Sequence, residues 1–317
     1  MSANTGAIHR HSAAPIIAVG VAVVAWAVGP IFVSSLSISL PTIVLYRQLI
    51  WLPMLFTLAH VAGDGFTRHH IAVSWKPGIF FSLSVVLGFG SFQHTTIANA
   101  TLIGSLTPAV LLFLAPRILG EKITAQRVVY SLVSFVGVIA VVAGADSGGA
   151  SGEHGLVGDA MALGNMLLWT VYFIAAKRAR DEGVNSWSFL AGVCLTNVVI
   201  ALPWALLTSD DLGAVTARDW MFLVLMMLIP GTVGHYLMTW AQRYLDTTVS
   251  SLITLGGPVM STSLAFVFLN QGVALVQMLG GVVVLLGLAG VILSTSSVRT
   301  TGTDTVGTAD PLLNSNP

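Results

Sequence analysis

The chain has 317 residues, 55% of them hydrophobic and only 8% charged, with thirteen basic and thirteen acidic side chains in balance. Soluble domains carry roughly 25% charged residues, so this composition cannot clothe a water-soluble fold, and a mean hydropathy of +0.87 agrees. Zero net charge gives no electrostatic basis for binding nucleic acid, and a single cysteine, Cys194, excludes an internal disulfide and a Cys-based metal cluster.

A membrane helix needs ~20 mainly apolar residues to cross ~30 Å of hydrocarbon. A polar tail over 1–14 precedes the first such run, which is too long for a signal-peptide core and lacks a small-residue cleavage site. In chain order the apolar runs predict helices over 15–34, 41–61, 77–94, 97–117 and 127–145. The Gly/Ser-rich linker 146–155 follows, then helices over 156–176, 187–207, 220–241, 248–269 and 275–295. A Thr/Gly-rich tail over 296–317 reads as disordered. Strands are not expected, because open sheet edges cannot sit in lipid and no dyad alternation appears. The expectation is an all-α membrane protein of ten transmembrane helices.

Ten crossings put both termini on one side. With that side in the cytoplasm, eleven of the thirteen Lys and Arg residues fall at inner loops or inner helix ends; Arg218 falls outside and Arg47 within a helix. This is the charge bias expected of a multi-pass protein of the inner (cell) membrane.

The stretch "LIGSLTPAVLLFLAPRILGEK" returns 150 positions later as "LITLGGPVMSTSLAFVFLNQG", with Pro108 matched by Pro258. The register continues without a gap to Gly137 against Gly287. Two five-helix halves, 15–145 and 156–295, therefore repeat, and an odd helix number inverts the second half. Secondary transporters often have this construction, with substrate near the midplane and interrupted helices marking the site. A proline inside a helix costs ~3 kcal/mol, so both prolines are expected to kink symmetry-related helices facing one cavity.

These pieces, with "AWAVGP", "LYRQLIWLPML", "GDAMALGNMLLWTVYFIAAKRAR" and "AQRYLDTTVSSLITLGGPV", resemble the EamA type of the drug/metabolite transporter superfamily over nearly the whole chain. Pro108 and Glu121 fit its "LxPv…lgE" pattern; Pro258 fits in the second half, but Gln271 replaces the second acid. The resemblance implies a cavity lined by helices one, three, four, six, eight and nine. It also implies transport of amino acids, related metabolites or toxic small organics.

The candidate substrate residues are Trp26, Arg47, Thr107, Pro108, Asn165, Trp169, Tyr172, His235, Tyr236 and Pro258. Arg47 lies roughly 9 Å into its helix at 1.5 Å per residue; a buried arginine there should face the bundle interior or a wet cavity. It fits a substrate carboxylate or phosphate, and equally a snorkelling cation. Trp26 and Trp169 lie mid-helix, away from the interfacial belt. His235 suits proton coupling, with a structural histidine as the rival. Asp159 is the second proton candidate, with a helix-dipole role as the rival. Glu121 and Lys122 read as an ion pair at a helix end. Gly280, Gly281, Gly287 and Gly290 predict tight packing of helix ten, inside the chain or in a homodimer.

No cofactor or metal is expected, since the histidines are scattered and no GxxxxGK[ST] loop occurs. The sequence reads as a secondary transporter, not an enzyme, moving an amino-acid-like or amphipathic metabolite outward by alternating access. Multidrug or cation efflux is the alternative. Outside transport, the rivals are a receptor or scaffold and a membrane-embedded enzyme; HExxH and GxSxG motifs are absent.

Overall fold

The structure, a computed structural model, describes residues 13–95, 100, 103–143, 153–269 and 274–301. The expected N-terminal tail up to 12, most of the linker, the start of helix four and the tail beyond 301 lie outside the described residues. All described regular elements are helical. They are α1 (Ala14–Ala27), α2 (Gly29–Ser34), α3 (Leu40–Val61), α4 (Arg68–His94), α5 (Thr107–Leu119), α6 (Ala125–Ala143) and α7 (Glu153–Asp181). The second half continues with α8 (Ser186–Thr208), α9 (Ala217–Met226), a π-helical stretch (Met227–Gly234), α10 (His235–Ala241) and α11 (Thr247–Ile253). A 3₁₀ turn (Thr254–Gly256), α12 (Gly257–Leu269) and α13 (Leu275–Thr301) complete it. Among the described residues, eight helical runs are long and apolar enough to cross a membrane, and α5 is a shorter apolar helix.

Several boundaries differ from the sequence reading. α4 starts at Arg68, not at Pro77, because Thr67 and His70 form a capping box that opens it earlier. α13 runs on to Thr301, into the expected tail. The eighth helix is not uniform: Pro230 has no N–H to give, and the backbone passes through a π-helical stretch before α10.

The largest correction concerns the two prolines, which do not interrupt continuous helices. A turn at Ser105–Leu106 precedes α5, and Pro108 lies in the first turn of that helix. The 3₁₀ turn Thr254–Gly256 precedes α12, in which Pro258 is the second residue. A first-turn proline gives up an N–H that has no intrahelical partner anyway. Pro258→Ala should therefore change the thermal midpoint of the detergent-solubilised protein by less than the equivalent of ~1 kcal/mol. A clear rise would mark relief of interior strain and contradict the break.

Packing shows the two halves as equivalents. α4 lies on α7, as α1 lies on the π stretch and α10; α3 pairs with α8, α5 with α11, and α6 with α13. Exchanging the halves leaves this set of pairs unchanged. α6 and α13 run antiparallel, and Ser134 Oγ donates to the Val284 carbonyl at 3.5 Å, between positions 150 apart. A Cβ on Gly137 would lie 2.7 Å from the Gly280 oxygen, and one on Gly287 would lie 2.8 Å from the Tyr130 oxygen. Those two contacts are the same contact seen from each half. Gly280, Gly287 and Gly290 thus face α6 of their own chain, and Gly281 faces Val259.

Hydrogen bonds sort the loops into two ends. At the near end, which carries Ala14 and Thr301, Glu121 accepts from the Thr247 and Thr248 amides at 2.5 and 3.0 Å. Glu121 therefore caps α11 rather than pairing with Lys122. Arg127 pairs with Asp246 at 3.0 Å, and Ser188 Oγ donates to the Gly65 carbonyl at 2.8 Å. At the far end, the loop after α2 is clasped to the loop before α9 and to the first turn of α9. Asp219 accepts from the Ser37 amide and hydroxyl at 3.0 Å each. Asp211 accepts from the Ser39 amide at 2.5 Å, from the Ser39 hydroxyl at 2.8 Å, and from Thr42 Oγ1.

Burial pushes the Asp211 carboxyl up, but the donations from Thr42 and Ser39 outweigh it and hold it below the ordinary 3.8. A carboxyl held low stabilises the fold above its unfolded-state value and loses that contribution as pH falls through the folded value. The wild-type melting temperature should therefore fall as pH drops below 3.8. Asp211→Asn should show a flatter acid limb in a melting series; an identical limb would remove Asp211 from the clasp.

Candidate functional site

His235 opens α10 and sits in a box of aromatic rings from four other helices. The ring centroids of Trp26 (α1), Trp51 (α3), Phe81 (α4) and Trp169 (α7) lie 5.3, 5.8, 5.2 and 5.8 Å from the imidazole. The imidazole is 8% exposed and has no side-chain hydrogen bond among the described residues. Trp26 and Trp169, from the first helices of the two halves, meet edge to face at 5.6 Å, a favourable geometry for two indoles. Tyr172 extends the box, 5.3 Å from Trp169 and 5.0 Å from Phe81. Its hydroxyl lies toward Thr239 without a well-formed hydrogen bond.

The π-helical stretch fixes the indoles. Trp26 Nε1 donates to the Pro230 carbonyl at 3.1 Å, and Trp51 Nε1 to Thr232 Oγ1 at 3.1 Å. Thr232 Oγ1 in turn reaches the Met227 carbonyl, five residues back, at 2.9 Å. Gly234 makes room: a Cβ there would fall 2.5 Å from Trp26 Nε1. The irregular stretch around Pro230 thus supplies one carbonyl and one hydroxyl as acceptors to the two indole donors.

Arg47, on α3, lies toward the far end from the box. It is 6% exposed, its guanidinium carbon is 5.5 Å from the Phe89 ring centroid, and its Nε is sealed without an acceptor. No carboxylate pairs with it among the described residues. It is within electrostatic reach of Cys194 and His235. Cys194 is buried, with Sγ 3.2 Å from Gln48 Oε1. Asp159 is elsewhere, accepting from Thr95 Oγ1 at 2.6 Å and so tying α7 to the end of α4.

A cavity of about 210 Å³ adjoins the box, lined by Val23, Trp26, Ala27, Gly104, Ser105, Thr254, Gly257, Pro258 and Ser261. It sits where both broken helices, after Gly104 and after Thr254, face α1. Trp26 serves the cavity and the box. The other candidates are placed differently. Thr107 and Pro108 are buried behind the break. Asn165 accepts from Ser84 Oγ at 2.7 Å, between α7 and α4. Tyr236 stacks on Trp187 at 3.7 Å and 10°. The sequence reading missed Trp51 and Phe81; Trp51 lies mid-helix like Trp26 and Trp169, and the same signal applied to it.

The EamA-like transporter family matches residues 13–143 and 156–293, both halves of the chain. The chain belongs to the EamA-like transporter family. It is a multi-pass membrane protein. Among curated EamA-like relatives, Protein PecM of Dickeya dadantii (strain 3937) is 25% identical over 204 residues, 64% of this chain and 66% of PecM. Pseudopaline exporter CntI of Pseudomonas aeruginosa (strain UCBPP-PA14) is 25% identical over 258 residues, 80% of this chain and 86% of CntI. Aromatic amino acid exporter YddG of Ancylobacter novellus is 23% identical over 180 residues, 56% of this chain and 61% of YddG. A solved crystal structure shares the fold, with a TM-score of 0.76 at 18% identity over 90% of this chain and 98% of the other.

Proposed function

We propose that this protein is a secondary transporter that exports a small organic metabolite across the inner membrane by alternating access, with both termini cytoplasmic. The substrate class is an organic carboxylate with a flat apolar moiety. The observation that carries this reading is the pairing of an aromatic box with a buried arginine that has no carboxylate partner among the described residues. Burying an uncompensated charge is costly, so a solute that brings its own carboxylate gains from Arg47. Trp26, Trp169 and Tyr172 offer ring faces to its apolar part. The names of CntI and YddG, exporters of pseudopaline and of aromatic amino acids, support the class. The breaks before Pro108 and Pro258 supply joints in equivalent helices, which suits a rocking exchange of access. His235 is the group for proton coupling, since the box holds it without a hydrogen-bond partner; Asp159, already bound to Thr95, is the weaker choice.

The test is counterflow in proteoliposomes with labelled amino acids, aromatic carboxylates, purine metabolites and small organic cations. Selective exchange of carboxylates supports the reading. Exchange of cations alone would turn it to drug efflux, because aromatic rings also bind organic cations. Saturable binding without flux would favour a receptor or scaffold.

A further inference from the structure

Of the two buried arginines at the near end, Arg127 pairs with Asp246 and Arg180 has no carboxylate partner among the described residues. Arg180 lies in the last turn of α7 and is 3% exposed. Its Nε and Nη1 are sealed without an acceptor. The neighbouring cations differ. Lys177 Nζ donates to Asp181 at 2.6 Å and to the Gln242 carbonyl at 2.8 Å. Arg178 donates to the Ile118 carbonyl at 3.3 Å, and Arg127 holds Asp246. Arg243, Tyr244, Tyr236 and Asp64 lie within electrostatic reach of Arg180, and Asp64 forms no ion pair with it. The helix dipole explains a cation in a last turn. It does not explain a guanidinium with two of its nitrogens sealed from water and no acceptor in contact among the described residues.

We propose that Arg180, with Arg243 within electrostatic reach, is a second anion site, at the near end, which receives the carboxylate of an organic solute. Guanidinium is suited to this task because its planar array of N–H groups matches carboxylate and phosphate oxygens. The exposed Arg243 reaches the anion first, and the buried Arg180 completes its coordination. The site is separate from Arg47, which lies toward the far end of α3. A solute crossing the bundle would pass from one guanidinium to the other by way of the aromatic box. Only the choice of carboxylate rests on the proposed substrate class; the anion site itself does not. An anionic lipid headgroup offers the same oxygen chemistry, since basic pockets between membrane helices also hold phosphates.

The experiment is equilibrium dialysis of the detergent-solubilised full chain against labelled benzoate and, separately, inorganic phosphate. It compares the wild type, Arg180→Gln, Arg180→Lys, Arg243→Gln and Arg47→Gln. Two benzoates per chain are expected. One is lost in Arg47→Gln and the other in Arg180→Gln, while Arg180→Lys keeps the second at roughly tenfold weaker affinity. Arg243→Gln, at an exposed position, should weaken that same site several-fold. Wild-type stoichiometry and affinity in Arg243→Gln and in a folded Arg180→Gln would overturn the proposal. Phosphate binding that depends on Arg180, with no benzoate bound anywhere, would keep the anion site and sink the carboxylate class. Native mass spectrometry from phosphatidylglycerol nanodiscs tests the lipid source. A retained phosphatidylglycerol that excludes benzoate and disappears in Arg180→Gln would overturn the solute assignment.

Discussion

Arg47→Gln should abolish counterflow of carboxylate-bearing solutes while leaving the protein folded and more resistant to heat. Truncating one partner of a buried charge pair costs ~2–5 kcal/mol, roughly 30-fold to several-thousand-fold in binding. The same change removes a buried charge that no carboxylate balances among the described residues, so the unliganded fold should gain stability. This opposition of signs is the informative part. A merely structural Arg47, held by its contact with Phe89, would lose stability and transport together. The check is a flux assay and a thermal melt on one preparation, with an organic cation as the control solute. Flux of the carboxylate within twofold of wild type would end the anion-site reading.

Gly137→Leu should be among the most damaging single changes in the chain. A Cβ at this position would meet the Gly280 oxygen and the Val284 nitrogen, each at 2.7 Å. Both are backbone atoms and cannot turn aside as a side chain would. α6 and α13 would have to separate along their shared face, and overpacking of this kind costs about 1–3 kcal/mol or more before the larger side chain is counted. Without a hydrophobic drive between helices in lipid, close backbone approach carries much of their association. The expected result is a markedly lower melting temperature and aggregation on size-exclusion chromatography. Leu at the neighbouring exposed Val136 should be tolerated, and equal behaviour of the two variants would contradict the packing.

The large features of this fold were legible because lipid imposes a simple code. Run length marked eight segments that are helices long enough to cross a membrane, and the proline register agrees with a family match to both halves. Local backbone was less legible. Nothing in the apolar composition around Pro108 or Pro258 distinguishes a kinked helix from two helices meeting at a turn. At the start of α4, Pro77 read as a first-turn residue, whereas the capping box ten residues upstream set the boundary. The site was half legible. Trp26 and Trp169, chosen as mid-helix indoles, and His235, chosen for proton coupling, converge on one box. Helices that are apolar all round give no moment to show which face turns inward. Asn165 therefore went to a helix contact and Tyr236 to Trp187. Arg180 went unnoticed because a cation in a helix's last turn is unremarkable until its burial is known.

The meeting of Ser134 with Val284 has a consequence for the chain's descent. On the line where equivalent residues face each other, a substitution in one half confronts its own counterpart in the other. Off that line, each contact exists in two editions, as Gly137 with Gly280 and Tyr130 with Gly287. A duplicated gene would have begun with both editions identical and free to diverge only in compatible pairs.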